Sequence, residues 1–134
     1  MQVTALAKGV RMSPRKVSLV ASLVRGRTVA DALVILEHTP KRAAKPVLKA
    51  IASAKANAVT NHAADANTLT IEHLTVTAGT RIKRFRPAAQ GRALPFQKKT
   101  SHIKVVLSGA EKPKKTTTAT AEAKPAAKKA EKEA

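Results

Sequence analysis

The stretch TRIKRFRPAAQGRALPFQKKTS, residues 80–101, most limits what this chain can fold into. It carries Arg81, Lys83, Arg84, Arg86, Arg92, Lys98 and Lys99 with no acidic residue between them. Side chains alternate along an extended strand. Ile82, Arg84 and Arg86 would share one face, and Arg81, Lys83, Phe85 and Pro87 the other. Both faces are then basic, and neither can sit in a hydrophobic core. Like charges at this density repel unless something anionic neutralises them, and phosphate is the obvious partner.

Pro87, Ala88, Ala89, Gln90 and Gly91 form a turn-rich interruption, and Gly91 tolerates a positive φ. Extended, basic sequence resumes afterwards. The pattern predicts a long β-hairpin over 80–101 with its tip near Gln90 and Gly91. An isolated two-stranded ribbon is marginal in water, so a partner is expected to order it.

Composition points the same way. The chain of 134 residues has 26 Lys and Arg against 8 Asp and Glu, a formal net charge of +18. Such a balance implies nucleic acid or an anionic membrane. A membrane partner is not expected, because there is no long apolar run and no Trp or Tyr for an interfacial belt. No leader pattern is read at the N-terminus. Cysteine is absent, which removes disulfides and thiolate metal sites. Phe85 and Phe96 are the only aromatic residues, so stacking platforms for single strands are not the main mode. Arg and Lys contacts to a folded nucleic acid fit better.

Around the basic stretch the sequence reads as alternating small elements. Val3, Ala5 and Ala7 suggest a strand over 2–7. Ser13-Pro14 opens a helix, with Val17, Val20, Ala21 and Val24 as its stripe, widened by Leu19 and Leu23, and Arg25-Gly26 as its stop. Thr28 caps a second helix, with Asp31 three residues on and Val29, Ala32, Leu33 and Leu36 facing inward. Thr39-Pro40 repeats the signal for a third helix reaching about Asn61, in which Pro46 is expected to cause a kink. A strand follows from Leu69 to Val76, with a bulge near His73-Leu74, and a last strand over 102–107. From Glu111 onward only Lys, Glu, Ala, Thr and Pro occur, so disorder is expected. The fold class is therefore α+β: a small antiparallel sheet on three helices, a protruding hairpin and a disordered C-terminal tail. One nucleic-acid-binding domain is expected over 1–110, with the tail over 111–134.

Catalysis and metal binding find no constellation. Asp31, Glu37, Asp65 and Glu72 are the carboxylates of the folded part, and none forms an evident acid–base pair. His38, His62, His73 and His102 lack metal-ligand spacing. No catalytic residue, metal or cofactor is assigned, and the chain is not read as an enzyme. Clusters at helix starts are candidate anion contacts: Arg15 and Lys16 after Ser13, and Lys41, Arg42 and Lys45 after Thr39. Arg11 and Arg27 join them on charge. The rival reading is a nucleoid-type DNA binder, suggested by the Lys/Ala/Pro tail.

RMSPRKVSLVASLVRGRTVADAL and TPKRAAKPVLKAIASAKANA together resemble the helical region of the bacterial large-subunit ribosomal protein twenty-two family. KRFRPAAQGRA and KKTSHIKVVLS resemble its hairpin and last strand, and the similarity spans about residues 2–108. The resemblance implies a structural constituent of the large subunit that binds 23S-type rRNA, supports its assembly and takes part in translation. Its implied partners are neighbouring ribosomal proteins, including the tunnel-constriction protein L-four, and the nascent polypeptide, in cytoplasmic ribosomes. Arg11, Ser13, Arg15, Lys16, Lys98, Lys99, Thr100, Ser101 and His102 match its RNA-contacting segments. Arg84, Arg86, Pro87, Ala88, Ala89, Gln90, Gly91 and Arg92 match the tip that lines the exit tunnel, with Lys83 close behind. Ala88 stands where a basic residue is usual in the family. Leu94-Pro95-Phe96 replaces a more basic stretch, so the returning arm is expected to be irregular.

Overall fold

The computed structural model describes residues 1–109, and the tail expected over 111–134 lies outside the described residues. The elements run β1 (Gln2–Val10), α1 (Pro14–Val24), α2 (Val29–His38), α3 (Ala44–His62), β2 (Thr70–Pro87), a 3₁₀ turn (Ala89–Gly91) and β3 (Ala93–Ser108). The sheet is antiparallel, and β3 lies between β1 and β2.

Register explains how alternation becomes a core. Val3, Leu107 and Ile71 stand across from one another, then Ala5, Val105 and Leu74, then Ala7, Ile103 and Val76. These rungs share the face on which the helices pack. From α1 come Val17, Val20, Ala21 and Val24; from α2, Val29, Ala32 and Leu36; from α3, Val47, Ile51 and the small Ala50, Ala54 and Ala58. Alanine at three of these α3 positions keeps side chains short, so the helix can lie close to β1 and β3. The other sheet face carries Thr4, Leu6, Lys104 and Thr75, and Leu6 is exposed there.

Helix ends follow local chemistry. Thr28 Oγ1 accepts from the Asp31 amide at 3.2 Å and donates to its carboxylate at 2.8 Å, so this short box closes the start of α2. Arg25 terminates α1, and Gly26 takes φ 72 just beyond it. Arg25 Nε donates to the Leu74 carbonyl at 3.0 Å, and the 26–29 segment exchanges backbone bonds with Leu69 and Ile71. That segment covers the outer edge of β2 and leaves fewer ladder groups open there.

Four expectations are corrected. The third helix begins at Ala44, not at Thr39-Pro40, because Thr39 Oγ1 turns back to the Ile35 carbonyl at 2.6 Å and closes α2. Pro46 is then the third helical residue, where an amide has no helical acceptor, so the proline removes no bond and the kink has no cause. Leu19 and Leu23 do not widen the core stripe but are exposed. The returning arm is also regular: pairing runs unshifted from Arg81–Lys99 through Phe85–Pro95 to Pro87–Ala93. In a two-stranded ribbon alternate N–H groups point outward, and a proline in such a position breaks no ladder bond.

The hairpin is not separate from the sheet. β2 and β3 continue through the body into the ribbon, interrupted by one extra residue on β2 between Ala78 and Arg81. There Gly79 and Thr80 face Thr100, and Thr100 Oγ1 donates to the Thr80 carbonyl at 2.7 Å. A Cβ on Gly79 would stand 2.6 Å from that hydroxyl and 3.1 Å from the His102 ring, so a side chain there would have to displace Thr100 from its bond. A second bulge on β2, between Ile71 and His73, lies next to where the alternation broke in the sequence, and a third falls between Ala7 and Val10 on β1.

Candidate nucleic-acid interface

Two surfaces bring the basic residues together. One is the ribbon. Every residue of Arg81–Pro87 and of 91–99 is exposed, so no part of the body neutralises or covers it. Register places Ile82–Lys98, Arg84–Phe96 and Arg86–Leu94 on one side, and Arg81–Lys99, Lys83–Gln97 and Phe85–Pro95 on the other. Each side therefore mixes cations with an apolar group, as the alternation required. Arg86 lies over the Phe96 ring, with its guanidinium carbon 5.7 Å from the centroid. Seven unshifted pairs give an arm of about 23 Å at about 3.3 Å per residue. At the tip Gln90 and Gly91 take φ 60 and φ 68, and the Ala88 amide donates to the Arg92 carbonyl at 2.8 Å.

The second surface is a groove of about 1160 Å³ where the ribbon leaves the body. The start of α1 supplies Arg11, Ser13 and Lys16, and the α2–α3 connection supplies Lys41, Arg42 and Lys45. The base of the ribbon supplies Lys98, Lys99 and Thr100. All seven ionisable side chains lining it are cations, and none of them pairs with a carboxylate among the described residues. Two helix amino ends open here. Ser13 and Ala43, the residues before α1 and α3, make no side-chain cap, and the backbone turns back on itself at both starts: the Lys16 amide donates to the Ser13 carbonyl at 3.0 Å and the Ala44 amide to the Lys41 carbonyl at 2.9 Å.

Other candidates fall elsewhere. Arg15 is exposed on α1 outside the groove lining. Arg27 bends back, its Nε donating to the Leu23 carbonyl at 2.9 Å. Ser101 is fully buried with its Oγ unpartnered, so its side chain reaches no surface in the protein alone. His102 is half-buried and its Nδ1 accepts from the Gly9 amide at 3.0 Å. Pro87, Ala88, Ala89, Gln90, Gly91 and Arg92 sit together at the tip as expected. Sequence reading missed the apolar part of the groove, formed by Leu19, Leu23 and Ile82. The available signal was the surplus of apolar residues on α1, more than one buried stripe needs.

Among the described residues no three His, Cys, Asp or Glu side chains gather in a way that could hold a metal ion, and no helix is long and apolar enough to cross a membrane. The arrangement is thus a basic groove with two helix amino ends, continued by a basic ribbon. The sequence model of one family, ribosomal protein L22p/L17e, matches residues 5–108, from the middle of β1 to the end of β3. The chain belongs to the ribosomal protein L22p/L17e family and is a structural constituent of the large ribosomal subunit.

Proposed function

We propose that the groove and the ribbon bind large-subunit rRNA directly, and that the ribbon lines the path of the nascent polypeptide. The observation that carries this reading is the charge on both sides of a ribbon that no other segment among the described residues covers: Arg81, Lys83, Arg84, Arg86, Lys98 and Lys99. Converging RNA helices would supply the phosphates these groups lack. The body then fixes orientation, and the ribbon threads between RNA segments during assembly. Its tip, narrow and without bulky side chains apart from Gln90 and Arg92, suits a passage that must leave room for a moving chain. Protein L-four would stand opposite that tip.

A salt titration with large-subunit rRNA tests the first half. Replacing Arg84 and Arg86 by Ala should weaken binding and reduce the slope of log K against log salt by about two. An unchanged slope would remove the ribbon from the interface. Placing a photo-crosslinker at Gln90 and stalling translation tests the second half. Adducts with the nascent chain are expected, and adducts confined to rRNA would take the tip out of the passage.

A further inference from the structure

We infer that the groove beside α1 seats an unpaired RNA base, extruded from its helix, and does more than grip duplex phosphates. This rests on the RNA-binding reading and specifies what one part of that surface takes. A surface for duplex backbone needs only cations and amides, because stacked bases keep their apolar faces from it. Here the cations surround apolar side chains. Leu19 is 72% exposed and Leu23 48%, one helical turn apart on α1, and Ile82 faces them from the ribbon at 40%. Lys16 lies one turn before Leu19 on the same face of α1, so one cation and two leucines follow one another along one line.

Such a floor is uncovered in the protein alone, and covering it with water-filled phosphate contacts would gain nothing. An unstacked base offers a flat, weakly hydrated face to Leu19 and Leu23, while its flanking phosphates reach Lys16, Lys41 and Lys98. Burial of the two leucines then adds to charge neutralisation. A partner protein with an acidic apolar segment is the competing occupant. The ribbon disfavours it, because the same mixture of cations and apolar groups continues from Ile82–Lys98 to Arg84–Phe96 and Arg86–Leu94, well beyond one short segment.

The test uses the full chain and two RNA hairpins, one fully paired and one with a single unpaired 2-aminopurine. Tighter binding of the bulged RNA is expected, by about fivefold, with a change in 2-aminopurine emission on binding. Leu19→Ser with Leu23→Ser should abolish that preference and the emission change, yet leave binding of the paired hairpin and its salt slope unaltered. Both residues are exposed, so the fold should survive, and a thermal melt checks it. Equal binding of the two hairpins by the native chain would overturn the inference and leave RNA binding standing. Binding of neither hairpin at low salt would overturn both.

Discussion

Within the body, β2 and β3 bury Ile71, Leu74, Ile103, Val105 and Leu107 under three helices. Beyond Gly79 the same two strands expose every residue from Arg81 to Pro87. The two strands stay paired at both ends, with one bulge at Glu72 in the body and none in the ribbon. What differs is what stands above the pleats. In the body, apolar surface removed from water offsets the entropy of ordering the chain. In the ribbon nothing comparable is buried. A strand is thus not one energetic object: its ladder is shared, while its stability is local to the side chains on each segment.

Substitutions can separate the two halves. The largest effect is expected in the body. Ile103→Ala removes a fully buried side chain from the central strand and should lower unfolding free energy by about 2–5 kcal/mol in a denaturant titration. Gly79→Ala comes next, since its Cβ meets the Thr100 hydroxyl; a loss of about 1–3 kcal/mol is expected, with broadened ribbon amide resonances. Ala63→Gly should act in the opposite direction. Ala63 closes α3 at φ 50, and glycine there should stabilise by about 1 kcal/mol, read as a raised Tm. The smallest effect belongs to the ribbon. Phe85 is 73% exposed, and Phe85→Ser should change stability of the free protein by less than about 0.5 kcal/mol. A destabilisation as large as that of Ile103→Ala would mean the two halves share one cooperative core.

Legibility in the sequence follows the same division. Alternation of Ile103, Val105 and Leu107 and the spacing of Val17, Val20, Ala21 and Val24 were sufficient to place core faces, because burial there depends on local period. Thr28 and Asp31 were readable as a cap for the same reason. Thr39 was not. A threonine before proline can begin one helix or end another, and its bond to Ile35 depends on how α2 is already placed. Leu19 and Leu23 were assigned to the core because period alone does not say how wide a face the sheet covers. The ribbon was legible as an exposed basic stretch, whereas the groove was not, since α1, the α2–α3 connection and the ribbon base meet there only through the fold.

The central position of β3 has a consequence for synthesis. β1 is made first and pairs along its length with β3, which is made last of the described elements. Met1 and Gly109, at the two ends of the described chain, exchange backbone bonds of 3.0 and 3.3 Å. Until residues 101–108 have left the ribosome, β1 has no strand to pair with, and the body half of β2 has only the 26–29 segment. The three helices can form early, but the face they cover cannot close. Contacts this distant along the chain delay folding. The newly made protein therefore completes its sheet only after nearly all of the described chain has emerged, when its basic ribbon is already whole.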